Sequence, residues 1–390
     1  MKYDFDEVIG RSGTGALKYD QRKVVFGTDD VIPMWVADMD FRTPDVIMQA
    51  IRERTRHEIL GYSVRTNAFY SAIIDWVWKR HGWNIEKEWI VFSPGVVPAI
   101  NICVLSYTQP GDEIIIQPPV YFPFFKAVTD HQRKPVFNKL VYDNLYYHFD
   151  LHYIGNIPRN SASMLILSNP HNPVGRLWTR YELEELAELC IERNILILSD
   201  EIHCDLVFKP FKHVPLASIG KKIADHTITC MAPSKTFNLA GLSTSFLIIP
   251  DAGLREKYTR VQESLHLGMG NIFGNVALEA AYRNGMPWLD EMLDYTRNNI
   301  LYVERYLKEK IPLIRMVPVE ATYLIWLDCH ELARKVGELR DFFINKARVG
   351  LSDGTLFGPG GEGFMRMNVA CPFSIVKNAL QQIEAAVNTL

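Results

Sequence analysis

The sequence predicts an α/β protein that combines a mostly parallel, doubly wound sheet with a second, smaller α+β domain. Short, almost continuously apolar runs alternate with helical patterns through the middle of the chain, and such runs are typical of strands buried on both faces of a parallel sheet. The length of 390 residues exceeds that of a usual single core, which favours two domains. The predicted strands cover residues 90–92, 113–116, 164–167, 195–199, 227–231 and 246–249.

Two helices are predicted from the residues at which they start. Thr179 and Glu182 have the spacing of a capping box, which predicts a helix over residues 179–193. Thr43 as a cap, with Pro44 in the first turn, predicts a second helix near the N-terminus.

The two ends of the chain differ from its middle. Residues 1–45 are rich in loops, and the part after about residue 285 mixes helices with isolated strands. We therefore predict a large domain over residues 46–285 and a small domain built from residues 1–45 and 286–390. The elements predicted in the C-terminal part are a helix over 288–308, strands near 323–327 and 364–369, and a closing helix.

The composition points to a small-molecule substrate. Hydrophobic residues make up 48% of the chain and charged residues 22%, and the formal net charge is −3 without a long run of one sign. This balance predicts neither a nucleic-acid partner nor a membrane-surface partner. The six cysteines are scattered without a CxxC pair, which predicts reduced residues of a cytoplasmic protein and neither a disulfide framework nor a metal site. No membrane helix or signal segment is expected.

Three predicted strands run into residues that can carry chemistry, and ligands of parallel α/β sheets bind at such carboxyl ends. In the segment SNPHNPVG (168–175), two prolines and a glycine impose a fixed turn that presents the amide of Asn172. Asp200 follows the strand at 195–199, where an acid requires a charged partner or a helix start. Lys235 follows the strand at 227–231 and a proline, and burial would favour the neutral amine that a Schiff base requires.

Each of these segments also has a structural interpretation: a plain strand-to-helix turn, a helix-capping aspartate and a surface lysine. Together they are more specific. Pyridoxal 5′-phosphate (PLP) requires an amine for its aldehyde carbon, a carboxylate for its ring nitrogen and a donor for its ring hydroxyl. Lys235, Asp200 and Asn172 can supply these three groups. The sequence therefore predicts a PLP enzyme in which Lys235 holds the cofactor as a Schiff base.

The three segments SNPHNPVG, SDEIH (199–203) and APSKTFNLAGL (232–242) resemble the fold-type I PLP enzymes of the class I/II aminotransferase superfamily. Within that group the chain is most similar to the MalY/PatB branch of cystathionine β-lyases. The likeness extends along nearly the whole chain, and the other segments that carry it are PMWVADMDF (33–41), GYS (61–63), SPGVVP (93–98), PVY (119–121) and MRMN (365–368).

The resemblance implies a role for each matching residue of the catalytic centre. Lys235 would bind the cofactor and shuttle the substrate α-proton. Asp200 would pair with the ring nitrogen, and Tyr121 would stack on the ring. Asn172 would bond the ring hydroxyl and, with Arg366, lie at the substrate carboxylate, for which a guanidinium has the right geometry.

Further residues are implied to surround the rest of the cofactor. The amides of Val96 and Val97 at a helix start, together with the hydroxyl of Ser234, would bind its phosphate. Tyr62 would reach the phosphate of the neighbouring subunit, which requires a homodimer. His203 would lie beside the cofactor.

Two positions depart from the pattern of the aminotransferases in this superfamily. They usually have a tyrosine where this chain has His203 and an arginine where it has Ser243. The second departure leaves the cofactor phosphate without that arginine. Both departures are compatible with the lyase branch.

The function implied by the resemblance is β-elimination from L-cystathionine or a related L-cysteine S-conjugate, which gives a thiol, pyruvate and ammonia. An aminotransferase acting on an L-amino acid and a 2-oxo acid is the alternative, because Lys235, Asp200 and Asn172 serve both reactions. The third hypothesis is a protein with the fold of a PLP enzyme that only binds a partner or regulates. Such a protein would have no need of the lysine, the aspartate and the carboxylate-binding arginine, all of which are present here.

Overall fold

The computed structural model describes residues 2–390, and its largest sheet in that range has seven strands. Neighbouring strands are parallel except for Ser245–Ile248, which runs antiparallel to the strand on either side of it. The predicted mostly parallel sheet is confirmed. In spatial order its strands are Ile90–Ser93, Ser245–Ile248, Thr227–Met231, Leu196–Asp200, Ala162–Ser168, Glu113–Ile116 and Lys134–Phe137.

The edge strand Lys134–Phe137 is the one member of this sheet that the sequence pattern did not predict. Its residues are only partly buried, and Lys134 and Phe137 at its ends are exposed. Because prediction relied on continuous apolar runs, a half-exposed strand that contains a lysine and a proline gave no such run.

Helices cover the sheet and fill the remainder of the fold. The longer ones are Asp45–Thr55, Asn67–His81, Val96–Tyr107, Arg180–Arg193, Ala252–Ser264, Ile272–Asn284, Met286–Lys310 and Phe373–Val387. Shorter helical segments are Leu17–Asp20, Arg22–Phe26, Lys87–Trp89, Pro123–Thr129, Leu151–Asn156, Leu216–Ser218, Lys221–Ala224, Pro233–Thr236, Ala240–Leu242, His330–Val336, Leu339–Asp341, Phe342–Lys346 and Gly354–Phe357. Throughout residues 2–390, no helix is both long enough and apolar enough to cross a membrane.

The two predicted helix starts had different outcomes. The capping box is confirmed, because Thr179 Oγ1 accepts from the Glu182 backbone N–H and Glu182 Oε2 accepts from the Thr179 backbone N–H. The prediction that Thr43 caps the next helix is wrong. Pro44 has an extended ψ of 135° and is itself the residue before the helix Asp45–Thr55, so the turn begins one residue later than predicted.

A second, antiparallel sheet is formed by the C-terminal part of the chain, where mixed α+β structure was predicted. The N-terminal segment joins this part through a parallel pair of short strands, Ile32–Pro33 with Val349–Gly350. The exact boundaries of the two domains remain a prediction. The strands of the second sheet, in spatial order, are Arg315–Met316, Leu324–Asp328, Phe364–Asn368 and Ser352–Asp353, and a separate hairpin pairs Val141–Asp143 with Tyr146–His148.

A buried ion pair connects the turn at 168–175 to the second sheet. The guanidinium of Arg176, directly after this turn, is 2% exposed and donates to Glu320 Oε2 at 2.7 Å and to Glu182 Oε1 at 2.6 Å. Glu320 also accepts from the backbone N–H of Leu177 at 2.8 Å. Because Glu320 precedes the strand Leu324–Asp328, this pair holds the Asn172 turn against the C-terminal part of the fold.

Removing Glu320 should therefore destabilise the fold. We expect Glu320→Ala to lower the free energy of unfolding by about 3 kcal/mol, because Arg176 Nη1 and the backbone N–H of Leu177 lose their buried acceptor while Glu182 stays on Nη2. Asp225→Ala is the matched control, since its partner Lys221 is 87% exposed and the pair should contribute less than about 1 kcal/mol. Urea unfolding measures both, and equal effects of the two variants would contradict the assigned role of Glu320.

Candidate active site

The carboxyl ends of three parallel strands meet at one edge of the large sheet. The strand Leu196–Asp200 lies between Ala162–Ser168 and Thr227–Met231, and Asp200 is in register with Ser168 on one side and Cys230 on the other. The turn after the first strand and the short helix after the third are thereby brought next to Asp200. All three predicted groups line a single cavity of about 210 Å³, and the lining includes Tyr121, Asn172, Asp200, His203, Ser234, Lys235, Val96 and Val97.

Lys235 presents a partly buried amine to this cavity. Its Nζ donates a hydrogen bond to the backbone carbonyl of Ala37 at 2.7 Å. Burial lowers the pKa of Lys235 to about 8, and the positive charge of Arg366 acts in the same direction, whereas Asp38 and Asp200 oppose it. The neutral amine is therefore more populated near neutral pH than in a solvated lysine.

Asp200 is a buried carboxylate without a cationic side chain as a close partner. It is 5% exposed, and Oδ1 accepts from the backbone N–H of Ile202 at 3.1 Å. Among residues 2–390, no cation lies within ion-pair distance of it, and burial raises its pKa to about 7. A turn, rather than a helix, follows Asp200. The carboxylate is thus placed to pair with a positive charge supplied by a ligand.

Arg366 and Asn172 form a hydrogen-bonded pair beside the cavity. Arg366 Nη1 donates to Asn172 Oδ1 at 3.0 Å, and Nη2 donates to the Trp35 carbonyl at 2.9 Å. Within the described chain, this buried guanidinium has no ion pair with a carboxylate, and its Nε has no hydrogen-bond partner. Arg366 can therefore receive a carboxylate from a ligand, and Asn172 retains its Nδ2 group as a donor.

The other end of the cavity is suited to an anion. Val96 and Val97 are the first residues of the helix Val96–Tyr107, which has no side-chain cap, so its first N–H groups are available. The hydroxyl-bearing residues Ser234, Ser243 and Thr244 line the same cavity. Thr244 Oγ1 is buried and has no hydrogen-bond partner within residues 2–390.

Thr244 is a site residue that the sequence did not assign, and Ser243, which the sequence marked only as the position of the missing arginine, lines the same cavity. They directly precede the strand Ser245–Ile248, and this strand is antiparallel to its neighbours. Its N-terminal end therefore lies at the same edge as the carboxyl ends of the parallel strands. The direction of this strand was the missing information, because an apolar run does not reveal strand direction.

Tyr121 and His203 complete the lining near the catalytic groups. Burial raises the pKa of Tyr121, which keeps its hydroxyl protonated. His203 is 3% exposed, and burial lowers its pKa to about 3, so its imidazole is neutral at physiological pH. Its Nδ1 has no partner within residues 2–390. The predicted stacking of Tyr121 on a ring remains a prediction.

Tyr62 is not part of this cavity. Its side chain is 96% exposed, and it lines a separate cavity of about 460 Å³ together with Met269 and Phe273. Its predicted role in the site of a neighbouring subunit remains a prediction.

The residues of the Lys235 cavity fit PLP. The strongest evidence is Asp200, because a buried carboxylate without a cationic side-chain partner suits a protonated ring nitrogen. Lys235 can bond to the aldehyde carbon, Asn172 can donate to the ring hydroxyl, and the helix start with Ser234 can bind the phosphate.

Comparison with known proteins agrees with this site. The family described as aminotransferase class I and II matches residues 29–383. The chain is 42% identical to the cystathionine beta-lyase PatB of Bacillus subtilis (strain 168), covering 99% of this chain and 100% of that protein. The structure superimposes on that of cystalysin from Treponema denticola, which contains PLP, with a TM-score of 0.95 at 34% identity and full coverage of both chains. It superimposes on a PLP-bound candidate aminotransferase from Clostridium difficile 630 with a TM-score of 0.97 at 40% identity, covering 99% of this chain and 100% of that one. The chain belongs to the aminotransferase class I and II family.

Proposed function

We propose that this chain is a PLP-dependent carbon–sulfur lyase that performs β-elimination on L-cystathionine or a related L-cysteine S-conjugate. The products are a thiol, pyruvate and ammonia. The observation that carries the proposal is that the partly buried amine of Lys235 and the buried carboxylate of Asp200 line one cavity. The buried guanidinium of Arg366 is hydrogen-bonded to Asn172 of the same lining. The preference for a lyase is supported by the 42% identity to PatB over nearly the whole chain.

The side chains divide the work of this reaction. When bound, PLP supplies an aldehyde carbon that bonds to amines and a ring that withdraws electrons from the substrate α-carbon. Lys235 anchors the cofactor and, once released, removes the α-proton of the substrate. Asp200 holds a proton on the ring nitrogen. Arg366 binds the substrate carboxylate, and Asn172 orients the guanidinium and donates to the ring hydroxyl.

An aminotransferase is the second candidate, and it is favoured by the likeness to the Clostridium difficile structure. The same residues would remove the same proton, so the reactions differ in where that proton goes afterwards. Pyruvate formation in the absence of a 2-oxo acid distinguishes the lyase from the aminotransferase.

We also propose that the enzyme is a homodimer. The segment around Tyr62 exposes a row of apolar side chains: Ile59 is 70% exposed, Leu60 64%, Tyr62 96% and Val64 82%. Such a patch is typical of a surface that is covered by another chain. A second copy would cover these residues and bring Tyr62 to the phosphate end of the neighbouring site.

The remaining proposals concern organisation and location. We propose that residues 46–285 form the PLP-binding domain and that residues 1–45 with 286–390 form the smaller one. All six cysteines are free and buried, which supports a cytoplasmic location.

The proposed reaction is tested at Lys235. PLP-loaded protein supplied with L-cystathionine and no 2-oxo acid should release pyruvate and free thiol in equal amounts. Lys235→Ala should lose the visible absorption band and at least about 100-fold of the activity, because it removes the anchor and the base. Lys221→Ala, which changes an 87% exposed lysine, should keep both. Amino-group transfer to an added 2-oxo acid without pyruvate formation would instead identify an aminotransferase.

Arg366→Lys tests the assigned carboxylate site. A lysine keeps the charge but loses the paired donors of the guanidinium, so we expect KM for L-cystathionine to rise about 10-fold to 100-fold, with a smaller change in kcat. Steady-state kinetics measures the changes in KM and kcat separately. Arg348→Lys, at an exposed arginine, should leave KM unchanged. A normal KM in Arg366→Lys would contradict the assignment.

Mixed dimers test whether Tyr62 acts across subunits. Tyr62→Ala and Lys235→Ala should each be impaired as homodimers. When their subunits are exchanged, each mixed dimer gains one site with Lys235 from one chain and Tyr62 from the other, so activity should return. Sedimentation verifies the dimers. Activity that equals the mean of the two separate variants would contradict a shared site.

A further inference from the structure

The segment from Trp35 to Asp40 lies beside Lys235, and the proposed reaction gives it no role so far. It is held from two sides by side-chain amides. Asn238, three residues after Lys235, accepts from the Met39 N–H and donates to the Met39 carbonyl, both at 3.0 Å. Asn368, from the second sheet, donates to the carbonyls of Val36 and Asp38 at 2.6 and 2.7 Å.

This segment contacts the catalytic amine directly. The carbonyl of Ala37 accepts from Lys235 Nζ at 2.7 Å and from the Tyr323 hydroxyl at 3.1 Å. The next residue is Asp38, whose carboxylate acts electrostatically on Lys235. The amine is therefore bonded to the residue that directly precedes an anion, and the PLP roles leave this anion unassigned.

Asp38 belongs to a cluster of two acids and two bases. Arg11 Nη2 lies 2.7 Å from Asp38 Oδ2, and Arg11 Nη1 lies 2.6 Å from Asp40 Oδ1. Lys18, which is 1% exposed, approaches Asp40 Oδ2 to 2.7 Å but Asp38 Oδ1 only to 3.9 Å. Asp40 is thus neutralised by two close cations, whereas Asp38 has Arg11 alone at close range. Part of the charge of Asp38 remains available to act on Lys235.

We propose that Asp38, clamped by Arg11, is a positioning residue that sets the basicity of the Lys235 amine and, through Ala37, fixes where that amine lies when it is free of the cofactor. The proposal rests on the assignment of Lys235 as the lysine that binds PLP. It holds for a lyase and for an aminotransferase, because both use this amine.

The charges that face Lys235 support this role. Asp38 and Asp200 are the anions, Arg366 is the cation, and Tyr121, Tyr323 and His203 are neutral at physiological pH. In the loaded enzyme, Asp200 would be paired with the ring nitrogen, which largely cancels its charge. Of the two protein carboxylates that act on the amine, Asp38 is then the one left to offset its burial and the charge of Arg366.

Two variants separate this role from a merely structural one. Asp38→Asn and Arg11→Gln remove the same ion pair but leave opposite charges behind. Loss of the anion makes the ammonium less stable, so the pKa of Lys235 falls. Loss of the guanidinium leaves Asp38 unneutralised, so the pKa of Lys235 rises. We expect opposite shifts of about half to one pH unit.

The readout is the rate at which cofactor-free protein recombines with PLP, followed by the visible band over a range of pH. This rate rises as Lys235 loses its proton, and it does not depend on turnover. The midpoint should move to lower pH in Asp38→Asn and to higher pH in Arg11→Gln. Asp38→Glu, which retains the charge, should keep the original midpoint.

Shifts of both variants in the same direction, or unchanged midpoints in both, would overturn the proposal and leave a structural role for the ion pair. If Asp38→Asn does not fold, Arg11→Gln and Asp38→Glu carry the test, since one must raise the midpoint and the other must not. A wild-type protein that recombines with PLP through Lys235 but releases no pyruvate would refute the lyase function and leave this inference intact.

Discussion

The site depends on ionisable groups that are buried without neutralising each other. Asp200 lies at the edge of the large sheet with the partly buried Lys235 beside it, and Arg366 reaches Asn172 from the strand Phe364–Asn368 of the second sheet. Within residues 2–390, neither Asp200 nor Arg366 has an opposite charge in close contact. Burial of an unpaired charge is unfavourable, and the apolar strands on which these residues are mounted must offset it. The strands Ala162–Ser168, Leu196–Asp200 and Thr227–Met231 are almost wholly buried. The parallel register of these strands fixes Asp200 in the large sheet, whereas the second, antiparallel sheet fixes Arg366.

The same constraint makes the stability of the cofactor-free fold depend on pH. Burial raises the pKa of Asp200 to about 7, so between the usual carboxyl range and pH 7 the folded protein holds a proton that the unfolded chain releases. In cofactor-free protein, the free energy of unfolding therefore falls as the pH rises through this range. Burial lowers the pKa of Lys235 to about 8, so below that pH the fold must hold a buried ammonium, which lowers the free energy of unfolding. This free energy increases as the pH rises from about 8 to the ordinary lysine pKa. Near neutral pH, the burial of Asp200 and the burial of Lys235 both lower the free energy of unfolding. A bound cofactor that paired with Asp200 and bonded to Lys235 would remove both effects and would thereby couple binding to stability.

The sequence predicted what continuous apolar runs and residue chemistry encode. Six sheet strands, the capping box of Thr179 and the convergence of Asn172, Asp200 and Lys235 were all accessible from these patterns. The direction of the strand Ser245–Ile248 was not accessible from them, and for that reason Thr244 was not predicted as a site residue. Ala37 was missed although the segment that contains it was noticed, because a backbone carbonyl contributes through its position and has no side chain to recognise. The position of Tyr62 relative to a second subunit depends on an arrangement that one chain does not contain.

The presence of Lys235, Asp200 and Asn172 does not decide between elimination and transamination, because both reactions would use all three residues. Under the proposed function, both reactions would begin with removal of the α-proton by Lys235, and they would differ in where Lys235 delivers that proton next. Two properties therefore matter: where the ammonium of Lys235 lies and how firmly it holds its proton. Ala37 fixes the first through a 2.7 Å hydrogen bond, and the charge of Asp38 acts on the second. The N-terminal segment that carries both residues is thus the part of the fold in which differences between lyases and aminotransferases should be sought.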